Sequence, residues 1–159
     1  MKLNCLPYLF LLVIFHGCTT NDRVMSIQEK SRIEQDIRQT MVAYFQDVKQ
    51  YGLNTEFRYL DSSAEFYWVP PGATVAYGYD TIRTMIEHNA VKFKSVDNSW
   101  DSLHLIVLDQ EHVIYTGQLN SNMTDTSGEV SKVKMVESGV LIKRQSGWKL
   151  LGGQTAIIP

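Results

Sequence analysis

Apolar residues recur at three- and four-residue steps in the first third of the chain, which is the spacing of one face of an α-helix. Ser26 and Glu29 stand in capping-box spacing at the start of this run, and Gly52 follows it as a stop signal. The pattern predicts one long amphipathic helix over about residues 27–50. Its apolar positions are Ile27, Ile33, Ile37, Met41, Tyr44, Phe45 and Val48.

The second half of the chain contains four long segments rich in β-branched and aromatic residues, separated by short polar breaks. They cover residues 100–108, 113–123, 130–143 and 148–158. Short breaks between long strands are typical of an antiparallel meander.

Three smaller elements are predicted between the long helix and the meander. They are a short helix at 55–60, a hairpin with strands at 65–69 and 74–77 around Pro70-Pro71-Gly72, and a helix with Asp80 as its N-cap. The order of elements predicts an α+β fold, with a strongly curved, mostly antiparallel sheet around the long N-terminal helix and two further short helices.

The first eighteen residues differ from the rest. Lys2 precedes an uncharged apolar run at 6–15, which is too short to span a bilayer and has the order of a secretory signal. Gly17-Cys18 resembles the lipobox of bacterial lipoproteins, although Phe15 and His16 depart from its usual pattern. The resemblance implies a signal peptide over 1–17, a tether over 18–26, a domain over 27–159, and a lipid anchor on Cys18 in the bacterial cell envelope. An ordinary cleaved signal and an uncleaved anchor are the alternatives.

Composition narrows the function classes. The formal net charge is −2, and no basic stripe is present, which argues against a nucleic-acid surface. Cys5 and Cys18 are the only cysteines, so the domain after residue 18 has no thiol for a disulfide or a zinc site. No metal-ligand spacing, phosphate loop or dinucleotide fingerprint is found, and neither a metal nor a cofactor is expected.

Three segments carry a family resemblance: Trp68-Val-Pro-Pro-Gly72, Gly78-Tyr-Asp-Thr-Ile-Arg83 and Gly147-Trp-Lys-Leu150. Together with the order of elements, they resemble the SnoaL-like, ketosteroid-isomerase-like branch of the nuclear-transport-factor-2-like superfamily over about residues 30–158. The resemblance implies a cone with a pocket at its open end, usually in a dimer. Members include isomerases, cyclases, dehydratases and proteins that only bind or associate, so fold alone does not settle function.

Glu137 is the most pointed candidate for catalysis, because it is a lone carboxylate in an apolar segment at 135–142. Burial would raise its pKa and suit it to act as an acid or a base. The alternative is an outward-facing strand residue.

His104 and Tyr115 are the other catalytic candidates. If residues 109–112 form the hairpin loop, Leu108 faces Val113, and His104 lies on the same side of the sheet as Tyr115, where the two could transfer a proton. The alternative for His104 is a hydrogen-bonded sheet residue.

Five residues are predicted to line the pocket. At positions in the last strand where many members of the resembled family carry histidine, this chain has Gly152 and Gln154. Gln154 is kept as a neutral hydrogen-bonding group, and aromatic side chains supply the rest of the lining. The predicted set is Tyr44, Phe66, Trp68, Trp148 and Gln154.

The favoured hypothesis is a lipid-anchored envelope domain that binds a small, partly apolar molecule, with binding rather than catalysis as its role. One alternative is an isomerase or dehydratase in which Glu137 is the base and His104 and Tyr115 polarise the substrate. The other is a homodimeric association module whose outer sheet face carries the polar row Thr116, Gln118, Asn120 and Asn122.

Overall fold

The computed structural model describes residues 24–159 and begins its regular structure with the long helix α1 (Ile27–Tyr51). Ser26 Oγ accepts a hydrogen bond from the Glu29 backbone N–H at 3.2 Å, and Glu29 Oε2 accepts one from the Ser26 N–H at 2.8 Å. Gly52 ends the helix at a φ of 87°, a conformation that favours glycine. The predicted helix, its capping box and its stop residue are confirmed.

Seven elements follow α1. The predicted strand at 74–77 is reduced to one bridge between Trp68 and Tyr77, and Gly78 rather than Asp80 is the N-cap of the second helix. The elements are a 3-10 helix (Leu53–Arg58), β1 (Tyr67–Val69), α2 (Tyr79–Ala90), β2 (Phe93–Val107), β3 (His112–Asp125), β4 (Val130–Arg144) and β5 (Gly147–Ile157).

The strands form one sheet in the order β1-β5-β4-β3-β2. β1 runs parallel to β5, and every other pair is antiparallel. α1 packs its apolar face against the inner face of the sheet, and the polar row at 116, 118, 120 and 122 lies on the outer face. The predicted α+β fold with a curved, mostly antiparallel sheet around the long helix is confirmed.

The predicted register of β2 on β3 is wrong by one residue. Val107, not Leu108, pairs with Val113, and His104 pairs with Thr116. The hairpin is tighter than expected, because Asp109 Oδ1 accepts the backbone N–H groups of Glu111 and His112 at 2.7 and 2.8 Å. A shift of one residue exchanges the two faces of a strand, so His104 is exposed on the outer face.

A β-bulge in β5 produces a second change of face. Leu141 pairs with Leu150 and Val140 pairs with Gly152, so Leu151 is the extra residue. Beyond the bulge the alternation is reversed. Gln154 is therefore exposed, and Thr155 faces inward.

Among residues 24–159, no helix combines the length and the apolar character needed to cross a membrane. The predicted signal peptide, Cys18 and most of the tether lie outside the described residues.

One ion pair ties the segment after the 3-10 helix to the end of β4. Asp61 is 4% exposed, and its carboxylate accepts hydrogen bonds from Arg144 Nε and from the Ser63 backbone N–H. Burial opposes ionisation, but the bonds from Arg144 and Ser63 and the guanidinium charge hold the pKa of Asp61 below its usual range.

We expect Asp61→Asn to lower the free energy of unfolding at pH 7 by about 1–3 kcal/mol, because a charged hydrogen bond is lost in a buried position. A carboxyl whose folded-state pKa is lowered stabilises the fold above its unfolded pKa, of about 4, and loses that contribution as the pH falls through the folded value. The difference in the free energy of unfolding between wild type and variant should therefore become smaller in acid. Urea unfolding at pH 7 and at about pH 3.5 measures it, with exposed Asp80→Asn as control, and an equal difference at both pH values would contradict the assignment.

Candidate active site

A cavity of about 690 Å³ lies between the sheet, α1, the 3-10 helix and α2. Its walls are largely apolar, and exposed residues of the loop at 70–73 and of α2, including His88 and Asn89, mark its mouth. A volume of this size fits the usual range for a small-molecule site. Representative wall residues are Phe45, Leu53, Leu60, Leu119, Met123 and Met135.

Glu137 places a carboxyl group in this cavity from β4, where it lies between Gly117 of β3 and Thr155 of β5. Tyr115 Oη donates a hydrogen bond to Glu137 Oε1 at 2.8 Å, and Thr155 Oγ1 donates one to Oε2 at 3.2 Å. Trp68 Nε1 in turn donates to Thr155 Oγ1 at 3.2 Å. Both oxygens of Glu137 are therefore fixed from within the sheet.

Two glycines make room for the aromatic side chains of this network. A Cβ atom on Gly139 would collide with the Gly152 carbonyl oxygen and lie 2.9 Å from the ring of Tyr115. A Cβ on Gly153 would lie 2.5 Å from the Ser138 carbonyl oxygen and 2.9 Å from the ring of Trp68. Both rings therefore lie directly on glycine backbone, and a larger residue at either position would displace the donors from Glu137.

A second carboxyl group, that of Glu56 in the 3-10 helix, lines the same cavity. The Tyr44 phenol of α1 lies close enough to this group to lower its pKa. Glu56 is not predicted from the sequence, because a charged residue in a short turn after a helix resembles an ordinary surface position. Its neighbour Thr55 is 7% exposed, so this turn packs against the rest of the fold.

Only some of the other predicted site residues lie at the cavity in the structure. Tyr44 and Trp68 line the cavity, and Tyr115 contacts Glu137. His104 lies on the outer face, so the predicted His104–Tyr115 pair does not form, and Gln154 is exposed. Phe66 and Trp148 belong to the core, where Phe66 packs edge-on against Tyr79 and Lys143 lies over the ring of Trp148.

No three histidine, cysteine or acidic side chains converge as metal ligands in the part of the chain that the structure describes.

A family model of the SnoaL-like domain matches residues 37–157 of the chain. The chain belongs to the SnoaL-like domain family. No curated protein matches the chain.

Solved structures similar to this SnoaL-like domain share its fold. A nuclear transport factor 2-like protein from Salmonella enterica serovar Typhimurium LT2 is 14% identical, with a TM-score of 0.69 over 82% of this chain and 94% of that one. A protein from Novosphingobium aromaticivorans, provisionally assigned as a scytalone dehydratase, is 8% identical, with a TM-score of 0.72 over 84% and 89%. The type 3 hexachlorocyclohexane dehydrochlorinase LinA of Novosphingobium barchaimii is 12% identical, with a TM-score of 0.65 over 84% and 92%.

Both carboxyl groups of the SnoaL-like domain have strongly raised pKa values. Burial raises the pKa of Glu137 to about 7, against the opposing effect of the hydrogen bonds from Tyr115 and Thr155. Burial also raises the pKa of Glu56 to about 7, the charge of Glu137 adds to the increase, and the Tyr44 phenol opposes it. Both residues line the cavity and are partly exposed.

Tyr44 and Tyr115 remain neutral donors. Burial, together with the nearby carboxylate charges, raises the pKa of both phenols well above the usual value of 10. Two carboxyl groups that repel each other in one buried site retain a proton between them near neutral pH. The cavity thus holds a proton donor and a proton acceptor at the same pH.

We expect Glu56→Gln to reduce the loss of stability between pH 5 and pH 8 by an amount on the order of 2 kcal/mol. A carboxyl whose folded-state pKa is raised favours the fold while protonated, so its contribution is complete below its unfolded pKa and declines as the pH rises towards the folded value of about 7. The amide cannot ionise and does not incur this loss.

Urea unfolding at the two pH values measures the effect. Glu65→Gln, which removes an exposed carboxylate, is the matched control and should leave the pH dependence unchanged. An unchanged pH dependence in Glu56→Gln would show that Glu56 is ionised in the fold without cost.

Proposed function

We propose that this SnoaL-like domain is a proton-transfer enzyme of the dehydratase type that acts on a small, largely apolar carbonyl compound. Glu137 is the base that removes a proton from the carbon next to the carbonyl, and Glu56 is the acid that protonates the departing hydroxyl group. The observation that carries the proposal is the pair of carboxyl groups in one apolar cavity, each with a pKa of about 7. Acids and bases work best when their pKa lies near the working pH.

The hydrogen bonds of Glu137 suit it to the role of base. Each carboxylate oxygen has two lone-pair sites, and Tyr115 and Thr155 occupy one site on each oxygen. The remaining lone pairs can accept the substrate proton. The electron pair of the broken C–H bond forms the carbon–carbon double bond, and the C–O bond breaks as Glu56 supplies its proton, so water leaves.

After elimination, Glu137 carries the proton and Glu56 is ionised. Transfer of that proton to Glu56 through water restores the starting state, so the cycle needs no external oxidant, reductant or cofactor.

The lining of the cavity supports an uncharged substrate. Within the described part of the chain, no lysine or arginine lines the cavity. His88, the basic residue in the lining, lies at the mouth. Two carboxyl groups without a cation beside them repel anions such as carboxylates and phosphates. The apolar walls favour a ring system or an alkyl body.

Two of the structural neighbours carry the names of elimination enzymes, a dehydratase and a dehydrochlorinase. Their identity to this chain is at most 12%, so they share its fold, and the proposed reaction depends on the residues of this chain.

Binding without turnover is the second candidate function. It is favoured by one observation: His104 and Gln154, the other groups expected to take part, do not line the cavity. In that case the carboxyl pair would act only as a hydrogen-bonding anchor for a ligand.

Two bicyclic ketones separate these functions. We expect the domain to accelerate hydrogen–deuterium exchange next to the carbonyl of 2-tetralone, and the elimination of water from 4-hydroxy-2-tetralone. Glu137→Gln should lower both rates by about 10²–10⁴-fold, because the base is lost. Glu56→Gln should lower elimination more than exchange, because only elimination needs the acid.

NMR measures the exchange, and the absorbance of 2-naphthol, the product of the second reaction, measures the elimination. Glu65→Gln is the control. Binding of both ketones without any acceleration would favour the binding function and reject the proposed enzyme.

We propose further that the domain works at a membrane of the bacterial cell envelope, held by a lipid on Cys18, as the lipobox resemblance implies. Replacing Cys18 by Ser should abolish the incorporation of labelled palmitate and release the protein from the membrane fraction. Cys5→Ser is the matched control, since it removes a thiol inside the signal. Retention of Cys18→Ser in the membrane would reject the anchor while leaving the cavity chemistry unaffected.

A further inference from the structure

Asn98 and Ser121 form a polar pair in an otherwise apolar part of the cavity wall. They lie directly opposite each other on β2 and β3, and both line the cavity. Their neighbours on the inner face are Val96, Trp100, Leu119 and Met123. A pair of polar residues facing inward in this apolar surround needs a physical explanation.

The hydrogen bonding of this pair is incomplete within the described chain. Asn98 Oδ1 is shielded from solvent and accepts no hydrogen bond. Ser121, which is 2% exposed, lies directly opposite Asn98. A buried polar atom without a partner costs free energy, so Asn98 Oδ1 destabilises the fold unless something else binds it.

The polar pair is distant from the Glu137 carboxyl group. Glu137 lies level with Gly117 on β3, four residues before Ser121. Four residues of extended strand place the two levels about 13 Å apart. The wall between them is apolar and includes Leu119 and Met135. The cavity therefore has two polar ends separated by an apolar stretch.

We propose that Asn98 and Ser121 are a second binding subsite, which takes a neutral hydroxyl group at the far end of an elongated apolar ligand. A hydroxyl group both donates and accepts, so it can donate to the Asn98 amide oxygen while it accepts from Ser121, or the reverse. The inner-face residues that flank the pair, Val96, Leu119 and Met123, are uncharged and offer no countercharge to an ionised group. The inference rests on the proposed function, because it names the class of substrate: a ring system with its reactive carbonyl at one end and a hydroxyl group at the other.

Two rigid probes test the subsite. Biphenyl-4,4′-diol carries hydroxyl groups at both ends, and 4-phenylphenol carries one. We expect the wild type to bind the diol about tenfold more tightly, the effect of one additional hydrogen bond. Calorimetry measures both affinities on the purified domain.

Two variants remove the subsite in different ways. Asn98→Leu keeps the approximate volume and loses the amide, and Ser121→Ala loses only the hydroxyl. In each, the preference for the diol should fall to about twofold or less, with binding of 4-phenylphenol unchanged. Asn122→Leu, on the exposed outer face of β3, is the matched control and should keep the full preference.

Thermal unfolding adds a second readout, since Asn98→Leu removes an unpartnered buried polar atom and should raise Tm. Equal affinity of the wild type for the two probes, or an unchanged preference in both variants, would overturn the subsite. Failure of both probes to bind would overturn the subsite and the apolar cavity together. A diol preference alongside an exchange rate that Glu137→Gln leaves unchanged would reject the proposed enzyme and retain the subsite.

Discussion

A carboxyl group that is moved from water into an apolar cavity must keep its proton or receive hydrogen bonds, and Glu137 shows how the fold meets this constraint. Tyr115 supplies one bond from β3, and Thr155 supplies the other from β5. Three neighbouring strands must therefore be in one register for the site to exist. The Tyr115 ring reaches Glu137 only because it lies on Gly139, so the sheet backbone itself positions the donor.

The hydrogen bonds that hold Glu137 extend from the interior of the cavity to its mouth. Trp68 belongs to β1, the short parallel edge strand, and its indole N–H holds the Thr155 hydroxyl group. The bridge between Trp68 and Tyr77 fixes the loop at 70–73, which lines the entrance. A ligand that enters past this loop meets side chains already linked to the base. The short edge strand thus links the entrance loop to the hydrogen bonds of the base, which contributes to the preorganisation of the site.

Much of the fold could be predicted from sequence, because its signals are local. The spacing of apolar residues and the Ser26–Glu29 capping box predict α1, and the composition of β4 singles out Glu137. The face of each strand could not be predicted as well. Both faces of β2 carry apolar residues, so alternation does not choose between Leu105 and Ile106, and the bulge at Leu151 has no strong local signal. Glu56 was missed because its burial depends on where the 3-10 helix packs.

The unequal surroundings of the two carboxyl groups decide which one holds the shared proton. Glu137 accepts two hydrogen bonds, and each favours its ionised form. The pKa of Glu56 is lowered by the Tyr44 phenol alone, and the charge of Glu137 raises it further. Ionisation of Glu137 therefore comes first, and it keeps Glu56 protonated. The hydrogen bond from Thr155 therefore supports the assignment of Glu137 as base and Glu56 as acid, because it favours the ionised form of Glu137.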